Sequence, residues 1–89
     1  MLVETIRKGD VIIFNGKEKT CITAIKNNCV MFSTKLLSGK NEISHGELNQ
    51  IVTLTGIIQV KILEIDNHVK LKIESPKNMV VHIKWEGDK

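Results

Sequence analysis

The sequence predicts an all-β protein, and three observations support that fold class. Apolar and polar residues alternate with a period of two, most clearly at residues 58–62 and 69–73. Short apolar runs are separated by turn residues, and no run follows the helical period of 3.6. Asn15 and Gly16 follow one such run, and this dipeptide favours a hairpin turn because both central positions need positive φ. We therefore expect short antiparallel strands, each with one core face and one solvated face.

The first half predicts three strands and one short helix. The strands cover residues 11–14, 19–25 and 29–33. Asn15 and Gly16 turn the chain after the first strand, and Asn27 and Asn28 turn it after the second. A helix-start signal follows at residues 44–47, where a serine can cap free amides while a glutamate reaches back. One or two helical turns are expected there.

The second half predicts three further strands. They cover residues 58–62, 69–73 and 79–85. Asp66 and Asn67 mark the first turn, and Pro76 breaks the ladder before the last strand because proline has no amide hydrogen to donate. Residues 23–32 also resemble residues 63–71 when one gap is allowed. This internal echo is interpreted as two hairpins of similar build.

The composition favours a small aliphatic core in a reducing compartment. The 89 residues contain no Tyr, two Phe and one Trp, so Ile, Val and Leu must build the core, and dimerisation would bury further apolar surface. Cys21 and Cys29 match no zinc or redox spacing, and no secretory signal precedes them. No apolar run approaches the roughly 20 residues that span a bilayer. The expected location is the cytoplasm, and abundant Ile, Asn and Lys are typical of an AT-rich bacterial or phage genome.

Arrangements that carry catalysis are missing from the sequence. His45, His68 and His82 lie far apart, without a His-x-His pair, a Cys-x-x-Cys motif or a His-Glu-x-x-His motif. The six glycines stand singly, so no phosphate-cradling loop is formed, and no Gly-x-Ser-x-Gly nucleophile motif is present. We expect a binding module rather than an enzyme, with no catalytic residue, no metal and no cofactor.

Two segments carry a family resemblance. In residues 60–82 the matching positions are Asn67, Val69, Leu71, Ile73, Pro76, Lys77, Val81 and His82. This segment, and more weakly the opening Met-Leu-Val-Glu-Thr-Ile-Arg-Lys-Gly-Asp, resembles the carbon storage regulator (CsrA/RsmA) family. These are small RNA-binding translational regulators that form interlocked β-strand dimers. The chain departs from the family at Ile83, where the family has an arginine that contacts RNA. Lys84 follows, but a lysine cannot copy the planar, forked guanidinium of arginine.

The first half is also similar to SH3-like small barrels, including KOW-type modules. The segments that carry this similarity are residues 6–11 and 15–17, a strand that ends at Ile25, residues 43–44 and 47–48, and residues 51–52. The expected organisation is therefore an SH3-like small barrel at residues 1–52 followed by a CsrA-like antiparallel strand module at residues 53–89. The CsrA/RsmA resemblance implies a strand-exchanged homodimer. The alternative is a single CsrA-like domain over residues 1–89 with an insert at about residues 15–56.

A lysine-bearing strand face gives RNA binding its physical basis. Lys61, Lys70 and Lys72 are expected on the same side of two adjacent strands, where they would attract phosphates through counterion release. Other cations and family positions are expected to extend or border this face. The full predicted set is Arg7, Lys8, Lys61, Lys70, Lys72, Lys77, Val81, His82 and Lys84. The predicted function is post-transcriptional regulation of mRNA translation or stability, with single-stranded or hairpin-loop RNA as the partner.

Other interpretations of the same residues stay open. An exposed β edge could add a strand from a partner protein, with Trp85 as the anchor, although Trp85 could equally cap the core. A KOW-like module could bind double-stranded DNA instead. The lysines could also merely solvate an exposed sheet, and Glu64 and Glu74 dilute their charge. The net charge of +3 is compatible with each interpretation.

Overall fold

The computed structural model describes residues 2–86, which form nine strands and, within that range, no helix. The strands are β1 (Leu2–Ile6), β2 (Val11–Phe14), β3 (Glu18–Lys26), β4 (Cys29–Lys35), β5 (Asn41–Glu47), β6 (Ile51–Thr53), β7 (Gln59–Ile65), β8 (Val69–Glu74) and β9 (Val81–Lys84). They form a four-stranded sheet, β1-β8-β7-β6, and a five-stranded sheet, β5-β4-β3-β2-β9, both antiparallel. The predicted all-β fold class is confirmed.

Two of the turns follow directly from asparagine and glycine. Asn15 and Gly16 have φ values of 52° and 70°, as the dipeptide predicts. Asn27 and Asn28, at 32° and 66°, also lie in the left-handed region, where asparagine is tolerated better than most residues. These turns set the β2–β3 and β3–β4 hairpins.

The helix predicted at residues 44–47 is wrong, because these residues belong to β5. The whole strand pairs with β4, from Cys29 opposite Glu47 to Lys35 opposite Asn41, and this long ladder outweighs a local capping signal. Gly46 helps to place the strand. A Cβ atom there would lie 2.5 Å from Cγ2 of Val52 and 2.9 Å from Cδ1 of Ile62. Glycine therefore lets β5 approach the four-stranded sheet closely.

The core lies between the two sheets and is aliphatic apart from two phenylalanines, as the composition predicts. Its buried members are Ile6, Ile12, Phe14, Ile22, Val30, Phe32, Val52, Leu54, Ile58, Val60, Ile62, Val69, Leu71, Ile73 and Ile83. Each such side chain contributes about 1.5–3 kcal/mol when it leaves water. Strand pairing crosses the predicted boundary after residue 52 in both sheets, since β1 pairs with β8 and β2 with β9. Residues on both sides of that boundary thus share one core.

Strands β1–β4 and β5–β8 repeat one arrangement about forty residues apart. β2 begins at Val11 and β6 at Ile51. The connection that precedes each strand has the same geometry: the Arg7 N–H donates to Oδ2 of Asp10 at 2.9 Å, and the Glu47 N–H donates to Oε1 of Gln50 at 2.7 Å. The echo seen in the sequence is therefore part of a longer structural repeat.

The bulges repeat at the same offset. The β3–β4 ladder shifts register at Thr23 and the β7–β8 ladder shifts at Leu63. Just before each bulge, the carbonyl of Ile22 or Ile62 accepts a hydrogen bond from a residue with positive φ, Gly9 or Asn49. These bonds measure 3.4 Å and 2.7 Å. A bulge inserts one extra residue at a single position of one strand. The same bulge with the same backbone partner in both halves is therefore specific evidence for the repeat.

The two halves exchange their first strands. β1 pairs with β8, the last strand of the second half, and β5 pairs with β4, the last strand of the first half. β9 has no counterpart, since the residues after β4 turn directly into β5. The molecule is thus an exchanged pair of four-stranded units with one additional strand on β2.

Candidate nucleic-acid interface

The outer face of the four-stranded sheet carries the predicted lysines. Lys61 lies opposite Lys72 in the β7–β8 ladder, and Lys70 follows on the same face. Two carboxylates lie among them: Glu64 is opposite Lys70, and Oε1 of Glu74 is 3.5 Å from Nζ of Lys72. An exposed ion pair adds little stability, but it does reduce the local positive charge. This face therefore combines three lysines with two glutamates.

The remaining predicted residues do not extend that face. His82 and Lys84 lie on β9, which pairs with β2 in the other sheet, because the break around Pro76 carries the chain across the core. Val81 is half-buried and packs against the core. Lys77 lines an open cleft of about 420 Å³ between the β8–β9 connection and Leu2. The nine predicted residues are thus divided among several surfaces.

The five-stranded sheet presents a more uniformly basic surface on its outer side. Two adjacent rows cross all five strands. One row consists of His82, Ile13, Lys19, Lys35 and Asn41, and the other of Lys84, Val11, Cys21, Ser33 and Ile43. We call these ten positions the basic face. They include three lysines and one histidine and no carboxylate.

Lys19 and Lys35 lie directly opposite each other at the centre of the basic face. Both are exposed, and neither forms an ion pair with any carboxylate in the part of the chain that the structure describes. Like charges at directly opposite strand positions are destabilising. At the margin of the basic face, Nζ of Lys84 is 3.4 Å from Oε1 of Glu86, and both side chains are exposed. An anion bound over the two central lysines would relieve their repulsion.

Arg7 and Lys8 belong to a second cationic region. With Lys26 they line an open cleft of about 600 Å³, opposite Asp66 and Asn67. The β1–β2 connection, the end of β3 and the β7–β8 connection meet there. The cleft contains three cations and one carboxylate, so it too favours an anionic ligand.

Trp85 joins the edges of the two sheets. Its indole N–H donates to the carbonyl oxygen of Thr5 at 3.3 Å, which ties the end of β9 to β1. The side chain is 55% exposed, so it does not cap the core, and part of the ring is free for contact. The first strand and the last strand, far apart in sequence, are therefore neighbours in the fold.

Sequence reasoning did not select Lys19, Lys26 or Lys35. Lys26 stands beside the predicted Asn27 turn and could have been found from that turn. Lys19 and Lys35 face each other only because the bulge at Thr23 shifts the ladder by one residue. No alternation in the sequence indicates that shift.

The two cysteines do not form a disulfide. Cys21 and Cys29 are free and half-buried rather than fully buried. Residues 2–86 hold no group of His, Cys, Asp or Glu side chains that could bind a metal ion. The same range contains no helix with the length and apolar character needed to cross a membrane.

Comparison with protein-family models, with curated proteins and with solved structures gives no match.

Proposed function

We propose that this chain is an RNA-binding post-transcriptional regulator that acts on mRNA translation or stability. The observation that carries the proposal is the Lys19–Lys35 pair at the centre of the basic face. Two opposed lysines without a carboxylate partner in the described chain concentrate positive charge at one place on the exposed surface. Phosphates bound there would release counterions, which makes the affinity fall as salt rises.

The shape of the basic face favours single-stranded RNA over duplex DNA. A major groove admits a helix or a two-stranded ribbon, whereas this surface spans five strands. Unstacked bases can lie across a sheet, where side chains and exposed backbone read their edges. Val11 and Ile13 provide half-buried apolar contacts between the cations, and the basic face contains no Phe, Tyr or Trp, so the His82 imidazole is its one ring for stacking. Base reading would therefore depend mainly on hydrogen bonds and apolar contact.

The CsrA/RsmA resemblance supports the same proposal. His82 lies in one row with Lys19 and Lys35, and Lys84 lies in the neighbouring row. Arg7 and Lys8, from the family-like opening, follow the strand that Trp85 contacts. RNA that crosses the basic face could continue past β9 toward these two cations.

The predicted homodimer stays a prediction. The resemblance implies strand exchange between two chains, whereas here β1 pairs with β8 and β5 with β4 inside one chain. One chain thus already provides an exchanged arrangement. Light scattering decides the assembly, since a monomer has a mass of 10.0 kDa.

The test is a titration with a labelled RNA hairpin that carries GGA in its loop. We expect Lys19→Ala with Lys35→Ala to weaken binding by about tenfold or more at low salt, because two phosphate contacts are lost. Lys61→Ala with Lys70→Ala is the matched control, since it removes two lysines from the other sheet. Equal loss in both double variants would assign binding to net charge. Duplex DNA that binds more tightly than the hairpin would overturn the RNA proposal.

A further inference from the structure

β6 is an open edge where the equivalent strand of the other half is covered. In the first half, β2 pairs with β3 on one side and β9 on the other. In the second half, β6 occupies the position of β2 and pairs only with β7 among the described strands. Comparison of the two halves therefore indicates that a strand equivalent to β9 is missing beside β6, and that it would pair with β6 as β9 pairs with β2.

The backbone of β6 is oriented to receive a strand. The Gln50 carbonyl accepts from the Ile62 N–H at 3.0 Å, and the Leu54 N–H donates to the Ile58 carbonyl at 2.9 Å, so these residues direct their bonds toward β7. Bonding directions alternate along an antiparallel strand. Ile51 and Thr53 therefore direct their N–H and C=O groups toward the open side.

Thr55 provides a second, independent observation. Its Oγ1 is buried and has no hydrogen-bond partner in the described part of the chain. The equivalent residue in the first half, Asn15, exchanges two bonds with the segment that leads into β9: its N–H donates to the Val80 carbonyl, and its Oδ1 accepts from the Val80 N–H, both at 2.8 Å. A buried polar atom without a partner is uncommon in folded proteins. Thr55, whose hydroxyl has no partner, thus occupies the position at which Asn15 bonds the segment that leads into β9.

Exposed apolar side chains are frequent in the segment that contains β6. Five of the nine large exposed apolar residues lie in residues 37–57. Ile51, on β6 itself, is 63% exposed, and Ile57, in the connection to β7, is 59% exposed. An exposed edge strand of this kind can pair with a strand from another chain.

No segment among residues 2–86 is free to form the strand that is missing beside β6. Residues 36–40 are closed into a turn, in which the Leu36 N–H donates to the Lys40 carbonyl and the Gly39 N–H donates to the Leu36 carbonyl, both at 2.9 Å. β9 is already engaged on β2, where Ile83 is nearly fully buried. A second copy would have to uncover its own core to lend that strand.

We infer that the β6 edge binds an extended segment of a partner protein by β-strand addition. If the segment binds as β9 binds β2, it has apolar residues opposite Val52 and Leu54, which continue the core, and polar residues opposite Ile51 and Thr53. An acidic residue opposite Ile51 would lie about 10 Å from Lys61, two strands away, which is about the Debye length at 0.1 M salt, so the attraction acts mainly at lower salt. Lys61 has no ion-pair partner among the described residues, so its charge is available. This binding mode draws affinity from main-chain bonds and specificity from alternate side chains.

The test uses a synthetic peptide with the sequence of residues 79–86 in which Lys84→Glu supplies the acidic residue. We expect saturable binding that shifts the amide resonances of Ile51, Thr53 and Thr55 and protects the Ile51 and Thr53 amides from exchange. The control peptide adds His82→Pro, which removes one donor to β6, and should bind at least about tenfold more weakly. In the protein, Thr53→Pro should abolish binding and Thr53→Ala should retain it, because the Thr53 N–H faces outward and its loss leaves the β7 ladder intact.

Three outcomes would overturn the inference. The first is peptide shifts at Val11–Phe14, which would mean that the peptide replaces β9 on β2. The second is a wild-type protein of twice 10.0 kDa whose Ile51 and Thr53 amides are protected without peptide, which would mean that a second copy covers the edge. The third is equal binding of the two peptides, because association would then not use the strand's backbone.

Discussion

The hydroxyl oxygens of Thr20 and Thr34 lie 2.8 Å apart, fully buried in the five-stranded sheet. They are opposite residues of the β3–β4 ladder. The equivalent positions in the β7–β8 ladder are Val60 and Ile73, also opposite each other and buried. One half of the repeat therefore fills this position with a polar pair and the other half with an apolar pair.

Replacing one member of the threonine pair should destabilise the fold, and replacing both should not. Thr20→Val leaves the buried hydroxyl of Thr34 without its partner, and we expect a loss of about 1–3 kcal/mol in the free energy of unfolding. Thr20→Val with Thr34→Val copies the apolar arrangement of the other half and should lie within about 1 kcal/mol of the wild type. Urea denaturation measures both. Additive losses in the double variant would show that the pair is not coupled.

Asp10 and Gln50 accept equivalent hydrogen bonds in different surroundings, one as a buried carboxylate and the other as an exposed amide. Asp10 is fully buried and Gln50 is exposed. We expect Asp10→Ala to lower the free energy of unfolding by about 2–3 kcal/mol and Gln50→Ala by about 0.5–1 kcal/mol, since only the buried bond is protected from water. Asp10→Asn keeps an oxygen acceptor and should lose less than Asp10→Ala. Equal losses for the two alanine variants would contradict the role of burial.

The sequence contains most of the information on the strands and turns. Alternation located β7 and β8, because in these strands one face is buried and the other solvated. The Asn15–Gly16 and Asn27–Asn28 turns were found because positive φ is restricted to few residue types. β5 was missed because its exposed face carries Ile43 and its inner face carries Gly46, which reverses the usual alternation.

Pairing between distant strands could not be predicted, and the candidate site depends on it. A regular two-residue turn at Asn27–Asn28 would place Lys19 opposite Leu36, whereas the bulge at Thr23 places it opposite Lys35. The separation of Lys84 from Lys72 depends on which sheet β9 joins, and strand assignment is a property of the whole core. Local patterns contain neither piece of information.

Gly46 should be intolerant of a side chain for steric reasons. Gly46→Ala would place Cβ 2.5 Å from Cγ2 of Val52, and we expect a loss of about 1–3 kcal/mol in the free energy of unfolding. The cost of Gly46→Ala should be smaller in a Val52→Ala background, because the opposing methyl groups are gone. Ser44→Ala, on the same face of β5, is the control and should change stability by about 0.5 kcal/mol or less. An unchanged cost in the Val52→Ala background would exclude Val52 as the source of the steric conflict.

Lys35→Glu should stabilise the protein while it weakens RNA binding. The substitution turns the repulsive Lys19–Lys35 pair into an attractive cross-strand pair, which we expect to raise the free energy of unfolding by about 0.2–1 kcal/mol. The same change removes a cation from the basic face, so the dependence of log K on log[salt] should become shallower by about one or more units. Lys61→Glu is the matched control, because it converts the other opposed lysine pair, Lys61–Lys72, without affecting RNA affinity; its gain in stability should be smaller, since Lys72 already pairs with Glu74. If the two variants weaken RNA binding equally, the basic face is not the binding surface, since both change the net charge by the same amount.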